Sequence, residues 1–238
     1  MSDMPNHKTD SNNYGPFSSD YIGHNYNYPD GDYNTRNKII KEHELYQKGL
    51  LWTLANHSRV LPAVREYFNK WGLPKDEFED NGYWASQLYI RESRRMIGDY
   101  VMTQKNCTSE LVANQSIGMG AYGMDSHNVQ RYIDKNGFVK NEGNLEVIVP
   151  SPYPISYYAI TPKKSECSNL LVPVCLSASH IGYGSIRMEP VFMVLGQSAA
   201  IAASIAIDQK CSVQKVPYQE LKINLLKEHE ILQLSDIK

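Results

Sequence analysis

Histidines, arginines and the mouth of an apolar helix are the parts of this chain that could do chemistry. Residues 184–207 read GSIRMEPVFMVLGQSAAIAASIAI. Arg187 and Glu189 stand before Pro190, and an apolar run follows. On a helix, Gly196, Ala199, Ala200 and Ala203 fall at i, i+3, i+4 and i+7, a face with almost no side chains. Such a face admits a strand, another helix or a planar ligand close to the backbone; tight helix–sheet packing alone gives the same pattern. The helix N-terminus adds unpaired N–H groups and a partial positive charge, which suits a delocalised anion. Gln197 needs a partner if it is buried on so apolar a helix. Just upstream, His180 follows Ser177-Ala178-Ser179 at the end of an expected strand, where α/β proteins place ligands. It is either a proton carrier or a structural histidine. His127, in DSHNVQR with Asp125 near, is a candidate ligand contact. Arg91, Arg94 and Arg95 in RESRR form either a solvated basic patch or a cationic wall for a carboxylate or hydroxyl-rich ligand.

The elements that must position these groups follow from periodicity. Ile39, Ile40, His43, Tyr46, Leu50, Leu51 and Leu54 lie at helical spacing, so 35–56 is expected as an amphipathic helix. Ser58 is the expected cap of a second helix running to Trp71, with Pro62 near its start and Gly72 as its stop. Aromatic and β-branched residues predict strands over 87–91 and 95–103. SELVANQSIGMGAYGMDSHNV predicts a helical turn and then a strand. Asn136-Gly137 marks a hairpin. LEVIVPSPYPISYYAI predicts a strand pair interrupted by prolines. The apolar 170–176 segment predicts a strand buried on both faces. A Gly-rich loop, 182–185, then leads into the Gly/Ala helix. Pro217 opens a last helix with Leu221, Leu225 and Leu226 on one side. Strands gathered between helices predict an α+β fold. Residues 1–150 and 151–238 are the expected domains.

Composition narrows the function classes. The 238 residues are 42% hydrophobic, enough for a core, and carry 24 basic and 26 acidic side chains for a net charge of -2. That balance gives no reason to expect nucleic acid or an anionic membrane as partner. Seventeen Tyr and three Trp against five Phe suit polar, ligand-facing surfaces or half-buried sheet faces. The four cysteines are far apart and show no metal-ligand spacing, so no metal is expected. The opening MSDMPNHK has no apolar core and does not read as a signal peptide. Val191 to Ile207 is the only long apolar run, and its internal Gln197, Ser198 and Ser204 favour a buried helix over a membrane span.

The segment 153–207 resembles the C-terminal part of bacterial FAD-dependent oxidoreductases, in the flavoprotein group of succinate dehydrogenase and fumarate reductase. The resemblance is carried by Asn169–Val172, Ser177–His180, Gly184–Arg187, Pro190, and Gly196-Gln197 with Ala199, Ala202 and Ala203. YIRESRRMIGDYVMT (89–103), MDSHNVQRY (124–132) and TDSNNYGPFSSDYIGHNY near the start are similar to the same family. Ala200 departs from the pattern, standing where the family has Gly. The family's opening GxGxxG unit, which wraps the FAD pyrophosphate, has no counterpart here. The chain therefore reads as an incomplete flavoprotein, a substrate-domain portion followed by the terminal strand and helix of an FAD-binding domain. Its missing half would be supplied separately or replaced by self-association.

The resemblance implies hydride transfer through FAD; the Tyr- and Asn-rich segments point to a small polar substrate, carbohydrate-derived substrates among them. The resemblance also implies that Ser179, Arg187, Glu189, Pro190, Met193, Gly196 and Gln197 hold the cofactor; His180, His127 and Arg95 are the candidate catalytic side chains. For Arg187 a salt bridge to Glu189 is the alternative, and for Gln197 a core hydrogen bond. Asn12, Asn13 and Tyr14 are candidates for the substrate side. The competing reading is a non-catalytic remnant that binds a partner or self-associates without flavin. Without the pyrophosphate element the chain alone is expected to be colourless and inactive.

Overall fold

The computed structural model describes residues 2–12 and 18–237. The chain forms two compact units. The first comprises residues 1–93 and 127–143, the second residues 94–126 and 144–238. Residues 94–126, expected with the N-terminal portion, thus cluster with the C-terminal one.

The first unit is built on two helices. α1 spans Tyr33–Asn56, and its N-cap Asp32 accepts from the Thr35 N–H at 2.8 Å, the usual way a carboxylate satisfies a first-turn donor. α2 spans Pro62–Phe68. The expected cap Ser58 lies outside it; the helix begins where Pro62 supplies a preset φ and lacks a donor the first turn would leave unpaired. Asn69 donates to the Ala55 carbonyl at 2.8 Å and ties the end of α2 to α1. β1 (Ser2–Met4) and β2 (Lys8–Asp10) form one small antiparallel pair. The hairpin expected at Asn136-Gly137 joins two further antiparallel strands of this unit.

Neither the strand expected over 87–91, in the first unit, nor the one over 95–103, in the second, forms; both stretches are irregular apart from a single bridge of Met102 to Ala178. Residues 94–101 form no strand; Met96 N–H donates to Cys175 O at 2.8 Å and Met102 N–H to Ser177 O at 3.0 Å. α3 (Gln104–Cys107) follows. β3 (Ser116–Gly120) pairs antiparallel with a strand at Tyr153–Ser156, and β4 (Met124–Ser126) with one at Leu145–Val147. Between these come the first-unit hairpin strands β5 (Gln130–Ile133) and β6 (Val139–Glu142). Their turn is closed by Asp134 Oδ1, which accepts from Asn136 and Phe138 N–H at 2.9 Å each, and Gly137 takes φ 83°. β7 is Leu145–Val147 and β8 is Tyr153–Ser156. They pair with β4 and β3 rather than with each other, which corrects the expected strand pair.

α4 (His180–Ile186) and α5 (Glu189–Asp208) then carry the candidate cofactor residues, and α6 (Tyr218–Lys227) closes the unit. Two expectations fail here. Residues 170–176 form no ladder: Leu170 is 47% and Val174 46% exposed, and Pro173 has no N–H to give. The segment still bonds to both neighbours: Val172 N–H donates to Ile160 O, and Cys175 O accepts from Met96 N–H, each at 2.8 Å. The Gly-rich loop 182–185 is part of α4, not a loop. On α6, Leu221 and Leu225 are fully buried whereas Leu226 is 39% exposed. The core of the second unit gathers Met102, Ile117, Met124, Tyr153, Ile155, Leu176, Ile186, Leu195, Leu221 and Leu225, all at 0% exposure.

Candidate functional site

α4 is set rigidly into the second unit. Its N-cap Ser179 accepts from Gly182 N–H at 3.2 Å, so this helix mouth is closed by its own side chain. Gly182 and Gly184 are required by close approach. A Cβ on Gly182 would stand 2.9 Å from Met102 O, and one on Gly184 would stand 2.7 Å from Asp125 O. Beneath the helix, Tyr153 OH donates to Ser185 Oγ at 2.5 Å, and Ser185 in turn donates to Tyr122 O at 2.5 Å. Burial raises the pKa of the Tyr153 phenol and of the neighbouring Cys107 thiol. Both stay neutral and serve as frame, not as nucleophiles.

Two side-chain pairs join α4 to β4. Arg187, its side chain 4% exposed, donates to Asp125 Oδ2 at 2.9 Å and to Asp125 O at 3.2 Å. His180 Nε2 stands 3.2 Å from Ser126 Oγ. Arg95 donates to Ala178 O at 3.1 Å, with its guanidinium 5.6 Å from the centre of the Tyr183 ring. It therefore braces the segment that delivers His180 to the start of α4.

α5 has two unlike faces. Val191, Leu195, Ser198, Ala199, Ala202, Ile205 and Ala206 are buried, with Ser198 donating to Ile117 O at 2.6 Å. Glu189, Pro190, Met193, Gln197, Ala200, Ser204 and Ile207 are exposed along the opposite stripe. The small-residue face expected from spacing is divided: Ala199 lies in the core, Gly196 and Ala203 at its margin, Ala200 outside. Gln197 is exposed, so the core hydrogen bond considered for it is corrected; Ser198 makes that bond. A Cβ on Gly196 would meet nothing within 4 Å. The N-cap of α5 is Met188, which offers no side-chain hydrogen bond to the first turn. By length and composition α5 could cross a membrane, but its inner stripe belongs to the core of the second unit.

His127 lies in the first unit, beyond the end of β4. Its Nδ1 is 2.6 Å from Asp20 Oδ2, and Arg91 bonds to its Nε2. Asp125, close in sequence, pairs with Arg187 and not with this ring. The arginines of RESRR part company: Arg91 serves the first unit, Arg94 and Arg95 the second. Sequence reasoning missed Asp20, 107 positions from His127, and the Arg187–Asp125 and His180–Ser126 pairs. The signals available were local: SSD, where Ser18 Oγ accepts from Asp20 N–H at 2.9 Å, and MDS, whose alternate residues face one way on a strand. Asn12 is exposed; Asn13 and Tyr14 lie outside the described residues.

The α+β fold thus carries an apolar helix, α5, with one face in the core and one stripe exposed. The profile of the family described as FAD dependent oxidoreductase matches residues 1–225, and the chain belongs to that family. FAD is the family's cofactor, and flavin redox chemistry its general function. Neither the curated proteins nor the solved structures include a significant match. The residues present fit the cofactor in part. Pro190, Met193, Gly196 and Gln197 leave a side of α5 open to a ring, whereas Ser179 is used as a cap and Arg187 is held by Asp125.

Proposed function

We propose that the isoalloxazine ring of FAD lies against the outer stripe of α5, and that the chain oxidises or reduces a C–H bond of a small polar substrate. The observation that carries this reading is the asymmetry of α5. One face is locked into the core, while Pro190, Met193 and Gln197 stand exposed with open space at Gly196. The positive end of the α5 dipole would face the edge of the ring where negative charge gathers on reduction. Glu189 marks the rim of that mouth. Ser179 and Arg187 act from beneath, holding α4 and β4 in place. The relation to the succinate dehydrogenase and fumarate reductase group rests on the motifs of 153–207.

Bound FAD supplies the hydride acceptor. The chain's own residues supply orientation and proton movement. His180, sharing a hydrogen bond with Ser126, would move a proton at Nε2, and Arg95 fixes the segment before it. His127 would contact the substrate within the first unit. The Tyr- and Asn-rich stretches of that unit favour a hydroxyl-rich, carbohydrate-derived class.

The test is anaerobic mixing of the chain and added FAD with sugars, polyols and hydroxy acids. A true substrate bleaches the flavin band at about 450 nm. His180→Gln and His127→Gln each slow the bleaching by about 100-fold or more. Bleaching by none of the three classes while FAD is bound contradicts the substrate reading, and unaltered rates in both variants contradict the roles of the histidines.

A further inference from the structure

We propose that Asp20 and Arg91 are positioning residues of His127: together they lock its imidazole as the Nδ1–H tautomer, with Nε2 accepting from Arg91. This rests on the reading above, in which His127 contacts the substrate. The argument is one of donors and acceptors. Asp20 Oδ2 can only accept, so Nδ1, 2.6 Å away, carries the hydrogen. Arg91 can only donate, so Nε2 offers its lone pair. A proton on Nε2 would set N–H against N–H, and a ring protonated on both nitrogens would also place two positive charges side by side. Both bonds are charge-assisted and stronger than neutral ones.

The three side chains arrive already placed. Asp20 sits in a turn closed by Ser18, a buried residue. Tyr46 OH donates to Ser18 O at 2.7 Å and Gln47 to Ser19 O at 3.3 Å, which fastens the turn to α1. The neighbouring Tyr21 ring stacks on His24 at 3.6 Å and on Tyr46 at 4.4 Å between centroids. Across from it, Tyr26 OH donates to Val129 O at 2.8 Å and holds the chain two residues past His127. Arg91 lies 5.4 Å from the centre of the Tyr89 ring. The arrangement gives the ring a fixed tautomer at low reorganisation cost, which is what a hydrogen-bond acceptor for a ligand hydroxyl needs. A ligand with an anionic or carbonyl oxygen can take the guanidinium from Nε2, leaving the lone pair to the hydroxyl.

The test is two-bond proton–nitrogen correlation NMR on 15N-histidine-labelled, flavin-free chain, with the His127 signals assigned by their loss in His127→Gln. The expected result is the Nδ1–H pattern, conversion to Nε2–H in Asp20→Ala, and return of Nδ1–H in Asp20→Asn, whose side-chain oxygen still accepts. Arg91→Met provides a second reading that does not depend on Asp20→Ala folding: the Nε2 resonance moves toward that of an unbonded lone pair. An Nε2–H pattern in the parent chain, or no change in Asp20→Ala and Arg91→Met, overturns the proposal. Because no flavin or substrate is present, these outcomes are independent of the bleaching experiment. A locked tautomer in a chain whose His127→Gln variant keeps its rate would leave the positioning intact and remove the catalytic reading.

Discussion

The second unit completely buries large side chains all the way from Met102 to Leu225, while the buried residues described in the first unit are Ser18, Ile22, Ile39 and His43. One is held by apolar packing, the other by rings and side-chain bonds to backbone. His43 shows the contrast in one residue: it lies within α1, 9% exposed, and its Nδ1–H donates to Ile39 O at 2.8 Å. The difference suits a division of labour. A flat cofactor needs a helix that does not yield, and close-packed interiors resist deformation. On the proposed reading, a small polar ligand would meet directed donors and acceptors on the hydrogen-bonded first unit.

The comparison can be broken at its strongest point. Leu195→Ala, at a fully buried site on α5, is expected to cost about 3 kcal/mol in urea unfolding. Tyr46→Phe in the first unit removes one bond to Ser18 O and is expected to cost only about 1 kcal/mol. Equal losses would mean that the two units are not held by different forces.

Two glycines sharpen the same contrast within the second unit. Gly184→Ala drives a methyl toward Asp125 O and is expected to lower stability by about 1–3 kcal/mol. Gly196→Ala meets open space within a helix and is expected to raise it by about 0.5–1 kcal/mol. Thermal unfolding of both variants distinguishes a glycine demanded by packing from one that leaves room for a ligand.

The smallest effect concerns pH. Burial raises the carboxyl pKa of Glu230 above its ordinary 4.5. An acid whose folded value exceeds its unfolded one favours folding when protonated. That contribution is complete below pH 4.5 and is lost as pH rises through the folded value. Glu230→Gln should therefore match the parent at low pH and be the more stable at neutral pH. A constant difference across the range would locate its effect elsewhere.

What could be read from the sequence was what short-range pattern determines. The helical spacing from Ile39 to Leu54 falls within α1, and the Asn-Gly signal lies in the turn between β5 and β6. The 170–176 run misled because apolar residues with Pro173 satisfy a strand's composition without a strand's bonding, and half of them are exposed. The helical state of 182–185 was hidden by its glycines, which lower helix propensity but are demanded by the approach of Met102 O and Asp125 O. For the site, the candidate residues stood in visible clusters, but their partners did not. Arg187 meets Asp125 and His127 meets Asp20 across 62 and 107 positions, separations that no local pattern encodes.

The seat of the flavin on α5 is tested most directly by hydrogen exchange and flavin fluorescence on the parent chain and Gly196→Phe, with added FAD and with lumiflavin, the bare ring system. The account predicts that both ligands slow exchange at the first turn of α5 and are quenched by the parent. Gly196→Phe, folded and as stable as the parent, should lose both effects. Equal quenching by Gly196→Phe, or protection that falls elsewhere and spares α5, would contradict it.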